Sequence, residues 1–234
     1  METEIPALLR AREEHFTFHS SRMRMRQVTP EELRSMNEQT GRAAAELADA
    51  RCDVVATACL VALMAQGPGF HCTAEDQIRE VLRAEGAEVP VVSSAGALLD
   101  GLRALGARRI AMVTPYEKPL TKLVADYIEA GGIAVHDALS LEVANNLEVA
   151  ALDPLELQEH WRTLDLSGCD ALVLSACVQM PSLASIDPVE RACGLPVLSA
   201  ATATTFALLD ALGLPTRVPR AGRLLSGEVA ARTG

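Results

Sequence analysis

Two cysteines, each closing a short apolar run, carry the chemistry that this sequence can support. Cys52-Asp53-Val54-Val55-Ala56-Thr57-Ala58-Cys59 and Cys169-Asp170-Ala171-Leu172-Val173-Leu174-Ser175-Ala176-Cys177 are two versions of one pattern, opened by Cys-Asp and closed by Ala-Cys. An apolar run bounded by polar segments reads as a buried parallel strand. The closing cysteine then lies at the carboxyl end of its strand, where open α/β sheets bind ligands. A thiol is a nucleophile only as its thiolate, and backbone N–H groups at a helix N-terminus favour that form. With the two copies facing each other, one sulfur can attack while the other gives or takes a proton. A single buried cysteine is more often inert packing, so it is the paired placement that points to catalysis by Cys59 and Cys177. Cys52 and Cys169, at strand starts, read as packing residues, and Cys72 and Cys193 as structural ones.

Other candidates are weaker by residue type alone. Tyr116 ends a further strand on the same predicted face, and a phenol there can donate to a carboxylate; a tyrosine half-buried at a loop fits as well. Asn146 is by default a turn residue in the left-handed region, and by hypothesis a carboxylate donor. His71, beside Gly67-Pro68-Gly69, reads as a loop residue and not as a base. That Gly-Pro-Gly loop has neither Walker nor dinucleotide spacing, so no phosphate or nicotinamide site is indicated. The cysteines form no Cys-x-x-Cys pair, so no metal site is expected.

The elements needed to present the cysteines can be read along the chain. Residues 2–14 carry Ile5, Leu8 and Leu9 at helical spacing. Phe16-Thr17-Phe18-His19 alternates and predicts a short strand, which Arg22-Met23-Arg24-Met25-Arg26 either extends or follows as a loop. Thr29-Pro30-Glu31-Glu32 is a helix start with Thr29 as N-cap, for a helix running to about residue 50. After the 52–59 strand come a helix at 74–85, a strand at 89–93 and a helix at 95–105. The second half offers strands at 109–116, 133–135, 169–177 and 195–199, with helices at 119–130, 154–164 and 202–212. Asn145-Asn146 falls in a loop, and the tail after Pro219 orders only by docking on the body.

An internal repeat organises these elements. Pro90-Val91-Val92-Ser93-Ser94-Ala95 matches Pro196-Val197-Leu198-Ser199-Ala200-Ala201, and both lead into helices ending Ala-Leu-Gly. The expected architecture is α/β with two pseudo-symmetric halves, each a parallel sheet flanked by helices. One half comprises residues 1–92 with 200–234 packed back onto it, the other residues 93–199. The second half has four strand–helix units and the first has three, because the leading helix has no strand before it. A sheet without that strand exposes hydrogen-bonding edges. The expectation is therefore a chain beginning roughly 15–20 residues earlier, or a short form completed by another subunit.

Composition narrows the function classes. A chain of 234 residues with 49% hydrophobic and 22% charged residues is ordinary for a globular protein, and aromatics at 3% leave an Ala/Leu/Val core. The net charge of −10 argues against a nucleic-acid or anionic-membrane surface. No apolar run approaches the ~20 residues that span a bilayer. No signal peptide precedes the six cysteines, which fits free thiols in a cytoplasmic protein.

Ala58-Cys59-Leu60-Val61-Ala62, Ser93-Ser94-Ala95-Gly96-Ala97, Val113-Thr114-Pro115-Tyr116, Ala176-Cys177-Val178-Gln179-Met180-Pro181-Ser182 and Leu198-Ser199-Ala200-Ala201-Thr202 together resemble the maleate cis–trans isomerases of the aspartate/glutamate racemase superfamily. The resemblance spans essentially the whole chain, and Cys-Val-Gln-Met-Pro-Ser is its most specific part. It implies a cofactor-independent isomerase with one cysteine from each half. Cys59 is then the nucleophile that adds to the double bond of maleate and forms a succinyl adduct, and Cys177 is the proton donor and acceptor. It further implies carboxylate binding by Tyr116 and Asn146, with Leu60, Val61 and Val178 beside the substrate, and a homodimer or higher homo-oligomer. A loop whose asparagine contacts substrate precedes Met1 in that family. Alternatives are a two-cysteine amino-acid or hydantoin racemase and a non-catalytic small-acid binding protein. An arylmalonate-type decarboxylase would need only one cysteine.

A dianionic substrate and a −10 protein repel each other only weakly at long range, because charges beyond ~8 Å are screened at physiological salt. Local donors must supply the affinity. Raising ionic strength from about 0.05 to 0.5 M should therefore move KM by less than roughly threefold in a maleate absorbance assay.

Overall fold

A computed structural model describes residues 1–26 and 29–229. In chain order the elements are α1 (Glu4–Leu9), α2 (Pro30–Asn37), α3 (Thr40–Asp49), β1 (Val55–Thr57), α4 (Leu60–Met64), α5 (Phe70–Ala84), β2 (Val91–Ser93), α6 (Ser94–Ala104), β3 (Arg109–Thr114), α7 (Lys118–Ala130), β4 (Ala134–Ser140), α8 (Asn146–Val149), α9 (Leu157–His160), β5 (Ala171–Ser175), α10 (Leu183–Cys193), β6 (Val197–Ser199) and α11 (Ala200–Ala211). All strand pairings are parallel. One sheet is β1-β2, the other β4-β3-β5-β6. No helix among the described residues is long and apolar enough to cross a membrane.

The repeat seen in the sequence is an architectural one. β1–α4 corresponds to β5 with its following cysteine, and β2–α6 to β6–α11. Ser93 and Ser199 both act as N-caps: Ser93 Oγ accepts from the Gly96 N–H at 3.0 Å, and Ser199 closes a reciprocal capping box with Thr202. The two equivalent helices α6 and α11 pack on each other, and α11 also lies against β2. A helix enclosed on every side must be apolar all round. In α11 every residue from Ala200 to Phe206 is buried, and its threonines satisfy their hydroxyls internally: Thr204 and Thr205 donate to the Ala200 and Ala201 carbonyls at 2.7 and 2.9 Å.

The two sheets differ more than the sequence predicts. No strand forms at 16–19. In element order that segment corresponds to β4, whose ladder partner is β3. The first half has no strand in the place of β3 among the described residues, so an alternating sequence has nothing to pair with. Residues 22–26 follow without regular structure. Helix α1 packs instead on α11, burying Ile5, Leu8 and Leu9.

Other differences have local causes. The helix expected from residue 30 to 50 is broken into α2 and α3 around Glu38 and Gln39. Thr29 caps it as expected, accepting from the Glu32 N–H. α10 was hidden in the sequence by Pro188, which lies inside it. β1 and β5 are shorter than their apolar runs, because the chain turns out of the sheet before each closing cysteine, whereas β4 runs on to Ser140, past the expected 133–135. The 215–229 segment does dock: Leu224 and Leu225 are fully buried, and the Val218 N–H donates to the Leu225 carbonyl at 2.8 Å. Residues 230–234 of the expected tail lie outside the described residues.

Gly222 makes that docking possible. It sits at φ +79°, and a Cβ there would come within 2.8 Å of the Val197 carbonyl oxygen. Gly222→Ala should cost about 1–3 kcal/mol, from the left-handed backbone and the clash with β6 together. Chemical denaturation of the variant beside the parent protein checks this.

Candidate active site

The two closing cysteines come together with Tyr116. Cys177 lies close enough to Cys59 to raise the cost of its ionisation, and the Tyr116 hydroxyl lies beside both thiols. Tyr116 and Cys177 are buried, 6% and 8% exposed, while Cys59 remains partly accessible. The carboxyl ends of β1 and β5, one from each parallel sheet, thus contribute to one site. Leu60 and Val61, on the first turn of α4, and Val178, beside Cys177, are all buried next to the cysteines.

The two thiols are mounted differently. Cys59 is the N-cap of α4, in extended backbone, and its carbonyl accepts from the Ala62 and Leu63 N–H groups at 3.2 and 3.4 Å. The Ala62 N–H also faces the Cys59 sulfur. Burial pushes the Cys59 thiol up to about 12; the Ala62 N–H pulls it down, and a charged Cys177 would push it further up. No helix begins at Cys177. It opens a stretch without regular structure that ends at α10.

Side chains from elsewhere hold that stretch. Ser175 Oγ donates to the Cys177 carbonyl at 2.9 Å. Glu4, from α1, accepts from the Ser182 and Leu183 N–H groups at 2.7 and 2.6 Å and from the Ser182 hydroxyl at 3.1 Å. It thereby caps α10 in place of a side chain from α10's own N-cap. The Met1 amino group donates to the Val178 carbonyl at 2.9 Å. Gln179 Nε2 donates to the Asn146 carbonyl.

That last bond brings Asn146 to the cysteine loop, although not in the expected turn. Asn146 opens α8 and lies outside the left-handed region; Asn145 is the N-cap, accepting from the Leu147 N–H at 3.0 Å. Tyr116 is fixed through its backbone. The Glu142 and Val143 N–H groups donate to the Tyr116 and Pro115 carbonyls at 3.2 and 2.9 Å. Burial first, then the neighbouring Cys177 and Cys59, raise its hydroxyl well above the usual phenol range, so it stays a donor.

His71 is not in a loop. It lies in the first turn of α5, where its backbone N–H donates to Tyr127 Oη at 3.2 Å and its Nδ1 pairs with the same hydroxyl. That contact ties α5 to α7, away from the thiols. Cys52 and Cys193 are partly buried, Cys169 is buried, and Cys72 is exposed; all six cysteines are free thiols. Among the described residues no group of three or more His, Cys, Asp or Glu could hold a metal ion. The sequence offered no signal for Ser175, Gln179 or Glu4 beyond their closeness to the cysteine motif or the first apolar helix.

The chain is similar to several known proteins. The family model described as arylmalonate decarboxylase matches residues 4–225. A maleate isomerase of Geobacillus stearothermophilus is 57% identical, over 97% of this chain and 93% of its own length. Among solved structures, a cysteine-to-alanine variant of the Pseudomonas putida maleate isomerase, crystallised with maleate, superposes with a TM-score of 0.95 at 55% identity. That match covers 97% of this chain and 92% of the other. A cysteine-to-serine variant of Nocardia farcinica maleate cis–trans isomerase, with a covalently bound succinylcysteine intermediate, superposes with a TM-score of 0.95 at 50% identity. It covers 97% of this chain and 93% of the other.

A thiol held near 12 is mostly protonated at neutral pH. Alkylation of Cys59 by iodoacetamide in the ligand-free protein should therefore rise about tenfold per pH unit from pH 7 to 10, because only the thiolate reacts. Peptide mass spectrometry at each pH reads the rate at this one residue.

Proposed function

The chain belongs to the maleate isomerases of the arylmalonate decarboxylase family, and on that premise we propose that Cys59 and Cys177 share the covalent conversion of maleate to fumarate. The observation that carries the assignment of roles is the gathering of two thiols and a buried phenol at one place, with one thiol on a helix N-terminus and the other in an irregular loop beside the phenol.

The chemistry follows from a balance of bonds and protons. The Cys59 thiolate adds to one alkene carbon, and the electron pair of the double bond moves onto the neighbouring carbon and its carboxylate. The Cys177 thiol protonates that carbon. The product is a succinyl group on Cys59 and a thiolate at Cys177. The former double bond is now single, so the two carboxylates can rotate from cis to trans. The Cys177 thiolate then removes a proton, the double bond re-forms, and the Cys59–carbon bond breaks to return the thiolate. Nothing is oxidised or reduced, so the thiols suffice without an electron carrier.

Ionising Cys59 is the costly step, and the Ala62 N–H supports it. Tyr116, the Asn146 side-chain amide and the backbone N–H groups after the two cysteines supply donors to the carboxylates. Each such bond to a charged group contributes about 1.5–3 kcal/mol. Leu60, Val61 and Val178 exclude water, which strengthens these bonds and protects the adduct.

Cys59→Ala should lower kcat by about a thousandfold or more, since no other group can form the carbon–sulfur bond. Cys177→Ala should also inactivate, yet accumulate a succinyl adduct on Cys59, because water can protonate the carbanion after attack while no base remains to remove the proton again. Intact-protein and peptide mass spectrometry after incubation with maleate distinguishes them. An adduct on Cys177 with Cys59 unmodified would reverse the roles.

A further inference from the structure

The two halves solve one problem by different means. A cysteine leaving a strand end must have its following peptide fixed, or its sulfur swings freely. In the first half α4 does this: the Cys59 carbonyl is held by the Ala62 and Leu63 N–H groups of the helix that Cys59 caps. In the second half no helix is present at that point. The Cys177 carbonyl is held by a side chain, the Ser175 hydroxyl, at 2.9 Å, with the Met180 carbonyl at 3.4 Å from the same oxygen.

Ser175 is placed for this and exposed to nothing else. It is 0% exposed. It ends β5, in register with Ser199 of β6, and the next residue makes the last bond to the sheet, Ala176 N–H to the Val113 carbonyl at 3.0 Å. The chain leaves the sheet at Cys177, where the hydroxyl takes hold of the carbonyl. Thr57 stands at the matching place before Cys59, where the helix already serves that carbonyl. Further along the same loop, Gln179 donates to the Asn146 carbonyl.

We propose that Ser175 and Gln179 are positioning residues for proton delivery: Ser175 fixes the peptide of Cys177 so that its sulfur points at the adduct carbon, and Gln179 locks the same loop to the Asn146 segment. The inference rests on the reading of Cys177 as proton donor and acceptor. It adds that the second thiol, unlike the first, depends on side-chain tethers for its aim.

The test compares four variants on maleate. Ser175→Ala should lower kcat about ten- to a hundredfold, as expected for a misplacement of the order of 1 Å. Iodoacetamide reactivity of Cys59 should stay at the parent level, and the succinyl adduct on Cys59 should build up during turnover. Ser175→Thr keeps the hydroxyl, in a residue type the first half already accommodates at Thr57, and should recover most of kcat. Gln179→Met, at a partly exposed position that tolerates change, should also accumulate adduct and in addition raise KM through Asn146. Unfolding midpoints are measured on all variants; were Ser175→Ala not to fold, adduct build-up in Gln179→Met decides. Parent-like turnover by both Ser175→Ala and Gln179→Met, equal slowing of adduct formation and breakdown, or no gain from Thr over Ala would overturn the inference. Cys177→Ala separates the two levels. Parent-like turnover by that variant removes the proton-donor reading itself; adduct there with none in Ser175→Ala or Gln179→Met removes only the tethering.

Discussion

Two thiols in one poorly solvated site cannot both be charged. Burial raises the cost of a thiolate at Cys59, and a charge on Cys177 would add to it. The constraint divides the labour. When one sulfur ionises to bond to carbon, the other remains a thiol able to give a proton. Addition and elimination require that same alternation, so the electrostatics of the pair and the order of the reaction match. Everything else in the fold serves to keep the two sulfurs near each other and poorly solvated.

The fold meets this by duplication with a local break in symmetry. Equivalent helices α6 and α11 pack against one another, which sets the carboxyl ends of β1 and β5 toward a common space. Symmetry then ends at the cysteines. One is seated on a helix N-terminus, whose N–H groups favour an anion. The other sits in a loop bound by Ser175, Gln179 and Glu4, beside a phenol that remains protonated. A nucleophile gains from the first setting and a proton carrier from the second, so the asymmetry supports the proposed division of roles, which the sequence repeat alone leaves equal.

Much of this was legible in the residues. Cys-Asp…Ala-Cys and Pro-Val-x-Ser, repeated in the same order, gave both strand ends, both cysteines and the pairing of halves, because an apolar run and a capping serine act locally. Phe16-Thr17-Phe18-His19 misled because alternation describes a residue's fit to a sheet, while a strand also needs a neighbour, and none is present beside it among the described residues. Pro188 concealed α10, where tertiary packing outweighs the loss of one helix bond. Asn146, expected as a left-handed turn residue, opens a short helix instead, since the capping role belongs to Asn145 one residue before. Glu4 was invisible for a different reason: its partners, Ser182 and Leu183, lie at the opposite end of the sequence.

The neutrality of the groups facing Cys59 and Tyr116 follows from the same constraint as the thiol pair. The groups that act on Cys59 and Tyr116 are thiols and a backbone N–H; no Lys or Arg side chain is among them. A guanidinium beside the cysteines would bind a dicarboxylate more tightly, but it would also hold a thiolate permanently ionised and lower its basicity. A thiolate stabilised that far attacks carbon poorly, and one that cannot recover a proton ends the cycle at the adduct. Dipoles from Ala62, Tyr116 and an amide such as Asn146 avoid this. They hold negative charge where it develops and leave each thiol able to change state, which the return of the proton to Cys177 requires.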